Sequence, residues 1–111
     1  MSDPGPGVEL LEYELAGGTV VGRFAPVLVG VVGSGNLEIL VEPCASETCR
    51  FRVETSARGF GVIWEAVVND FHERHRLAGV QIAMHDMGAT PAVVSLRLAQ
   101  AVAELPTRAA P

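Results

Sequence analysis

Hydrophobic and polar residues alternate with period two along most of the first half of the chain. In Glu9 to Leu15 the apolar Leu11, Tyr13 and Leu15 alternate with Glu12 and Glu14, the pattern of a half-buried strand. Gly17-Gly18 reads as a turn into a second strand, Thr19 to Arg23. Val27 to Val32 is a β-branched run. Leu37 to Val41 sets Leu37, Ile39 and Val41 against Glu38 and Glu42, with Leu40 the exception. The four residues Gly33-Ser34-Gly35-Asn36 join these two runs, and so short a glycine-rich link predicts a hairpin. Cys49, Phe51, Val53 and Thr55 alternate with Arg50, Arg52 and Glu54, giving a fifth strand with one wet face.

The period lengthens after Gly59. Phe60, Ile63, Trp64, Val67 and Phe71 recur at helical spacing, with Glu65, Asp70, His72 and Glu73 elsewhere on the wheel, which predicts a helix of about four turns. Val80, Ile82 and Met84 then alternate with Gln81, Ala83 and His85 as a sixth strand. Thr90-Pro91 is a helix start, because the hydroxyl can accept an orphan backbone N–H and proline fits the first turn. The helix from Pro91 to Leu105 has Val94, Leu98, Ala101 and Leu105 as its inner stripe; Leu96 falls nearly opposite, with Val93 and Ala103 on outer flanks. Five to six strands and two helices in this order predict an α+β domain, its mainly antiparallel sheet covered by both helices on one face.

With 111 residues, the chain has room for one domain that buries about 65% of its unfolded surface. The expected domain is 8–105, between loose tails at 1–7 and 106–111 rich in Pro, Gly and Ala. A formal charge of -5 with no basic cluster argues against nucleic acid. The longest apolar stretch, Ala25 to Gly33, is well short of the roughly 20 residues a membrane helix needs. No secretory signal is visible at the start, so the expected compartment is the cytoplasm and the expected state of Cys44 and Cys49 is reduced. Cys49 is in phase with the buried face of its strand, where a free thiol behaves as a small hydrophobe.

Several residues invite chemistry. His72 and His75, three apart on a helix, offer two metal ligands and no more; on the wheel His72 faces solvent and His75 flanks the apolar stripe, so both read as surface. His85-Asp86 could orient a general base, but nothing nearby pairs with it and Asp86 reads as a turn former. Trp64 and Phe71 read as core. Gly33-Ser34-Gly35 is superficially a dinucleotide-binding turn, yet Glu38 stands where the third glycine belongs and a strand follows instead of a helix. Ser34 as a nucleophile would need a base and an orienting group. From residue types alone the commonest account of Ser34 is an ordinary turn residue. As an acceptor it would need chiefly exposure, which flanking glycines provide, because a separate transferase can bring the base.

Two segments add more than spacing: Val31-Val32-Gly33-Ser34-Gly35-Asn36-Leu37-Glu38-Ile39-Leu40, and Asp86-Met87-Gly88-Ala89-Thr90-Pro91 leading into Val93-Val94-Ser95-Leu96-Arg97-Leu98-Ala99-Gln100. Together with Gly59-Phe60 and Ile63-Trp64, they resemble the malonate decarboxylase acyl carrier (delta subunit) family, over about Val27 to Glu104. The resemblance implies a non-catalytic carrier whose Ser34, supported by Gly33, Gly35 and Asn36, bears a 2'-(5''-phosphoribosyl)-3'-dephospho-CoA arm through a phosphodiester bond. It implies as partners an acyl transferase subunit exchanging acetyl for malonyl, malonyl-carrier decarboxylase subunits, and the phosphoribosyl-dephospho-CoA transferase that attaches the arm. No metal and no direct membrane insertion are expected. Asn36 departs from the aspartate expected there. The citrate lyase acyl carrier chain is the related alternative, and an interaction domain without a prosthetic group is another. A carrier must also place Ser34 at the exposed tip of its hairpin, and the outer face of the last helix around Leu96 is a candidate docking face for a decarboxylase subunit.

Overall fold

The computed structural model describes residues 8–30 and 36–106. Seven strands and two helices follow in the order β1 (Glu9–Ala16), β2 (Thr19–Val20), β3 (Val27–Val29), β4 (Leu37–Pro43), β5 (Thr48–Thr55), α1 (Gly61–His75), β6 (Leu77–Ala78), β7 (Val80–Asp86) and α2 (Pro91–Ala103). The main sheet has the order β1-β5-β7-β4-β3, antiparallel throughout except for β5 against β7. The expected α+β class holds. That one parallel pair comes from α1, which carries the chain back across the sheet between β5 and β7.

The alternating patterns choose the buried face. Leu37, Ile39 and Val41 of β4, Cys49, Phe51, Val53 and Thr55 of β5, and Val80, Ile82, Met84 and Asp86 of β7 are all buried. Register stacks them across strands: Ile39 faces Met84, Val41 and Phe51 both face Ile82, and Cys49 faces Val80. Both helices close over this face, α1 through Trp64, Val68 and Phe71, α2 through Val94, Leu98 and Ala101. Phe51 and Phe71 meet edge to face with centroids 5.9 Å apart, an arrangement that favours aromatic pairs. Leu40 is half-exposed on the opposite, polar face, which explains why it broke the run.

Several expectations need correcting. The second strand is Thr19–Val20, far shorter than Thr19 to Arg23, and it pairs in parallel with β6, outside the main sheet. Leu77–Ala78 had no detectable pattern: two buried residues are too few to show a period. The stripe of α1 is rotated, for Phe60 precedes the helix and is 47% exposed, Ile63 is 46% exposed, and Val68 and His72 are buried instead. His72 therefore does not face solvent. Its Nε2 lies 3.0 Å from the Ala16 carbonyl, which can only accept, so Nε2 carries the proton. Tertiary contact with the end of β1 outweighs the residue's polarity. The last helix stops at Ala103, although Leu105 still packs on the core. Of the run Val27 to Val32, Val31 and Val32 lie outside the described residues, as do Gly33, Ser34 and Gly35.

Candidate attachment site and its surroundings

The pairing of β3 with β4 sets Val27 opposite Val41, Leu28 opposite Leu40 and Val29 opposite Ile39. The chain therefore leaves β3 at Gly30 and returns at Asn36, as the expected hairpin requires. Gly30 has φ 79°, and a Cβ there would sit 2.1 Å from the Leu37 carbonyl oxygen. Only glycine fits so close an approach of the two strand ends.

The returning end is tied to the rest of the fold. The Asn36 carbonyl accepts the Met87 N–H at 3.0 Å, and the Asn36 side-chain oxygen accepts from Arg97 Nη2 of α2 at 3.4 Å. Met87 belongs to the loop between β7 and α2, which Asp86 organises. Asp86 is 3% exposed; its carboxylate accepts from the Thr55 hydroxyl at 2.8 Å and the Ala89 N–H at 2.8 Å, while its backbone carbonyl accepts the Ser56 N–H. The turn reading of Asp86 is thus correct. Thr90 caps α2 by accepting the Val93 N–H at 3.3 Å, as its position before Pro91 suggested.

The residues weighed as catalytic or metal-binding are dispersed. His85 lies on the polar sheet face between Glu38 (3.8 Å) and Glu54 (3.4 Å), turned away from Asp86 by strand alternation. His75 packs against Phe71 with the rings tilted by 44° and their centroids 4.7 Å apart. Among the described residues no three of His, Cys, Asp and Glu come together to hold a metal ion. Cys44 and Cys49 are free thiols, and burial, helped by Cys44, pushes Cys49 up to about 12. No described helix is long and apolar enough to cross a membrane. A cleft of about 380 Å³ between the start of α1 and the β7–α2 loop is lined by Phe60, Ile63, Trp64, Val67, Ala89 and Val94.

The match to known proteins falls on these same elements. The family model described as malonate decarboxylase delta subunit matches residues 25–105, from the start of β3 through the end of α2. The chain belongs to the malonate decarboxylase delta subunit family. Similar members include the malonate decarboxylase acyl carrier protein of Burkholderia cepacia, 66% identical over 89% of this chain and 92% of that one. Another is the protein of the same name from Stenotrophomonas maltophilia, 54% identical over 88% and 94%. Among solved structures, a chain of a Pseudomonas malonate decarboxylase hetero-tetramer in complex with malonate superposes with a TM-score of 0.80 at 36% identity, covering 88% of this chain and 99% of that one. The resemblance carried by the two sequence segments was thus correct. What sequence reasoning missed in this delta-subunit chain is the support of the hairpin by Gly30, Met87 and Arg97. A cation at Arg97, beside the inner stripe of Val94, Leu98 and Ala101, was the available signal.

Proposed function

We propose that this acyl carrier subunit of malonate decarboxylase bears its acyl groups on a 2'-(5''-phosphoribosyl)-3'-dephospho-CoA arm joined to Ser34 by a phosphodiester. The observation that carries the reading is the β3–β4 pairing, which makes residues 30–36 a connection between two neighbouring antiparallel strands and leaves Ser34, between glycines, two residues from Asn36. The surroundings suit an anionic linkage. Asn36 is neutral and half-exposed, and the carboxylate of Asp86 is closed off by Thr55 and Ala89. When attached, the arm supplies a terminal thiol that forms acetyl and malonyl thioesters.

On this reading the carrier domain, residues 8–105, performs no bond-breaking step and works in the cytoplasm. Its residues present and anchor the arm, while the transferase subunit exchanges bound acetyl for malonyl with release of acetate. The decarboxylase subunits release carbon dioxide and restore acetyl with uptake of one proton. Because the arm is tethered, its effective concentration at each active site is high only if the hairpin reaches each mouth. Gly30 and Asn36 fix the hairpin's two ends, and Gly33 and Gly35 keep side chains away from the attachment point.

The test is the intact mass of the protein purified from a host that runs the pathway. The expected result is an adduct of the mass of phosphoribosyl-dephospho-CoA that disappears in Ser34→Ala together with malonate decarboxylation. An active complex containing a persistently bare chain would refute the proposal.

A further inference from the structure

Arg97 is a partly buried cation with no ion-pair partner among the described residues. Of the other described arginines, Arg50 pairs with Glu14, Arg52 with Glu54 and Arg74 with Asp70, while Arg23, Arg58 and Arg76 are exposed to water. Arg97 has no carboxylate within ion-pair distance among the described residues, and its Nε is shielded from solvent with no hydrogen-bond partner among them. Nη1 donates to Gln100 Oε1 at 3.2 Å and Nη2 to Asn36 Oδ1 at 3.4 Å, both to neutral oxygens and the second a long bond. Withdrawing a charge from water is unfavourable unless an opposite charge or strong hydrogen bonds replace the solvent. The half-exposed guanidinium therefore keeps a shielded Nε–H to spare and no charge-neutralising partner among the described residues.

Its position says what completes it. A Cβ on Gly30 would lie 3.3 Å from Arg97 Nε, and Asn36 accepts from Nη2, so the guanidinium sits against both ends of the connection that contains Ser34. In sequence Ser34 is two residues from Asn36 and four from Gly30. A planar fork of N–H donors matches the paired oxygens of a phosphate, and arginine is the side chain suited to that geometry.

We infer that Arg97, oriented by Asn36 and Gln100, binds a phosphate of the carrier's arm, either the phosphodiester on Ser34 or the pyrophosphate of the nucleotide, and so holds the root of the arm against the base of the hairpin. This rests on the reading of Ser34 as the attachment residue. It also gives Asn36 a role: an aspartate there would pair with the guanidinium and compete with the phosphate.

The experiment uses the full chain made with and without its transferase. Intact mass comes first, and a chain that never gains the arm at Ser34 counts against the attachment reading, whatever Arg97 does. On the modified protein, ³¹P spectra resolve the phosphodiester from the pyrophosphate. The expected result is that one of them shifts to its position in the unfolded modified protein in Arg97→Gln, and which one moves identifies the phosphate bound. Arg97→Lys, keeping charge but losing the fork, should fall between. In the wild-type protein the Arg97 Nε–Hε resonance should shift between bare and modified forms. Phosphorus resonances identical in wild type, Arg97→Gln and unfolded protein would overturn the inference. Should Arg97→Gln fail to fold or to be modified, an Nε–Hε resonance unchanged by the arm in the wild-type protein would overturn it alone.

Discussion

Removing the Asp86 carboxylate would strike the point where the sheet, the β7–α2 loop and the hairpin base are joined. The side chain is buried and makes two bonds of 2.8 Å, to the Thr55 hydroxyl and to the Ala89 N–H. Bonds to a charged acceptor contribute about 1.5–3 kcal/mol each, part of which is recovered because the charge no longer has to be buried. Asp86→Ala should therefore cost about 3 kcal/mol, a large part of the roughly 5–15 kcal/mol that holds a small domain folded. Asp86→Asn should cost less, about 1 kcal/mol, because its oxygen can still accept from Ala89 while Thr55 turns its proton toward the Ala57 carbonyl, already 3.5 Å away. Trp64, the chain's one tryptophan, lines the cleft beside Asp86 and reports unfolding by fluorescence in urea. A double-mutant cycle with Thr55→Val isolates the shared bond, with an expected coupling of about 1–2 kcal/mol. Additive losses in that cycle, or an Asp86→Ala midpoint equal to wild type, would refute the reasoning.

Two further outcomes follow from individual side chains. Burial raises the Cys49 thiol from an ordinary 9.0 to about 12, so the folded state holds its proton more tightly than the unfolded chain. Stability from this group is complete below about pH 9 and lost as pH rises toward 12. Alkylation at pH 8 should spare Cys49 until the protein unfolds, and rapid labelling of Cys49 in native protein would contradict its burial. Leu96 is 55% exposed on the outer face of α2, so Leu96→Asp should shift the urea midpoint by no more than about 0.5 kcal/mol. The same variant should weaken binding to a decarboxylase subunit, as measured by calorimetry, and full affinity for every partner subunit would remove this face from the docking surface.

Much of this protein was determined by local pattern. A strand with one wet face declares itself by alternation, so β1, β4, β5 and β7 and their inward residues could be read directly, as could the Thr90-Pro91 start of α2 and the hairpin between Val27 and Val41. The family, too, was legible, because two segments at the hairpin and the last helix carry residues beyond what packing demands. Tertiary structure decided what depends on partners distant in the chain. His72 is inside because the Ala16 carbonyl accepts a hydrogen bond from its Nε2–H, Thr19–Val20 is a strand because Leu77–Ala78 lies beside it, and β7 enters between β4 and β5 because a helix can cross the sheet while a short loop cannot. The support of the hairpin's two described ends was hidden for the same reason. Gly30, Asn36, Met87 and Arg97 stand up to 67 residues apart in sequence, Gly30 to Arg97, and meet only when the sheet and α2 have closed, since hydrogen bonds and charge act across space and leave no period along the chain.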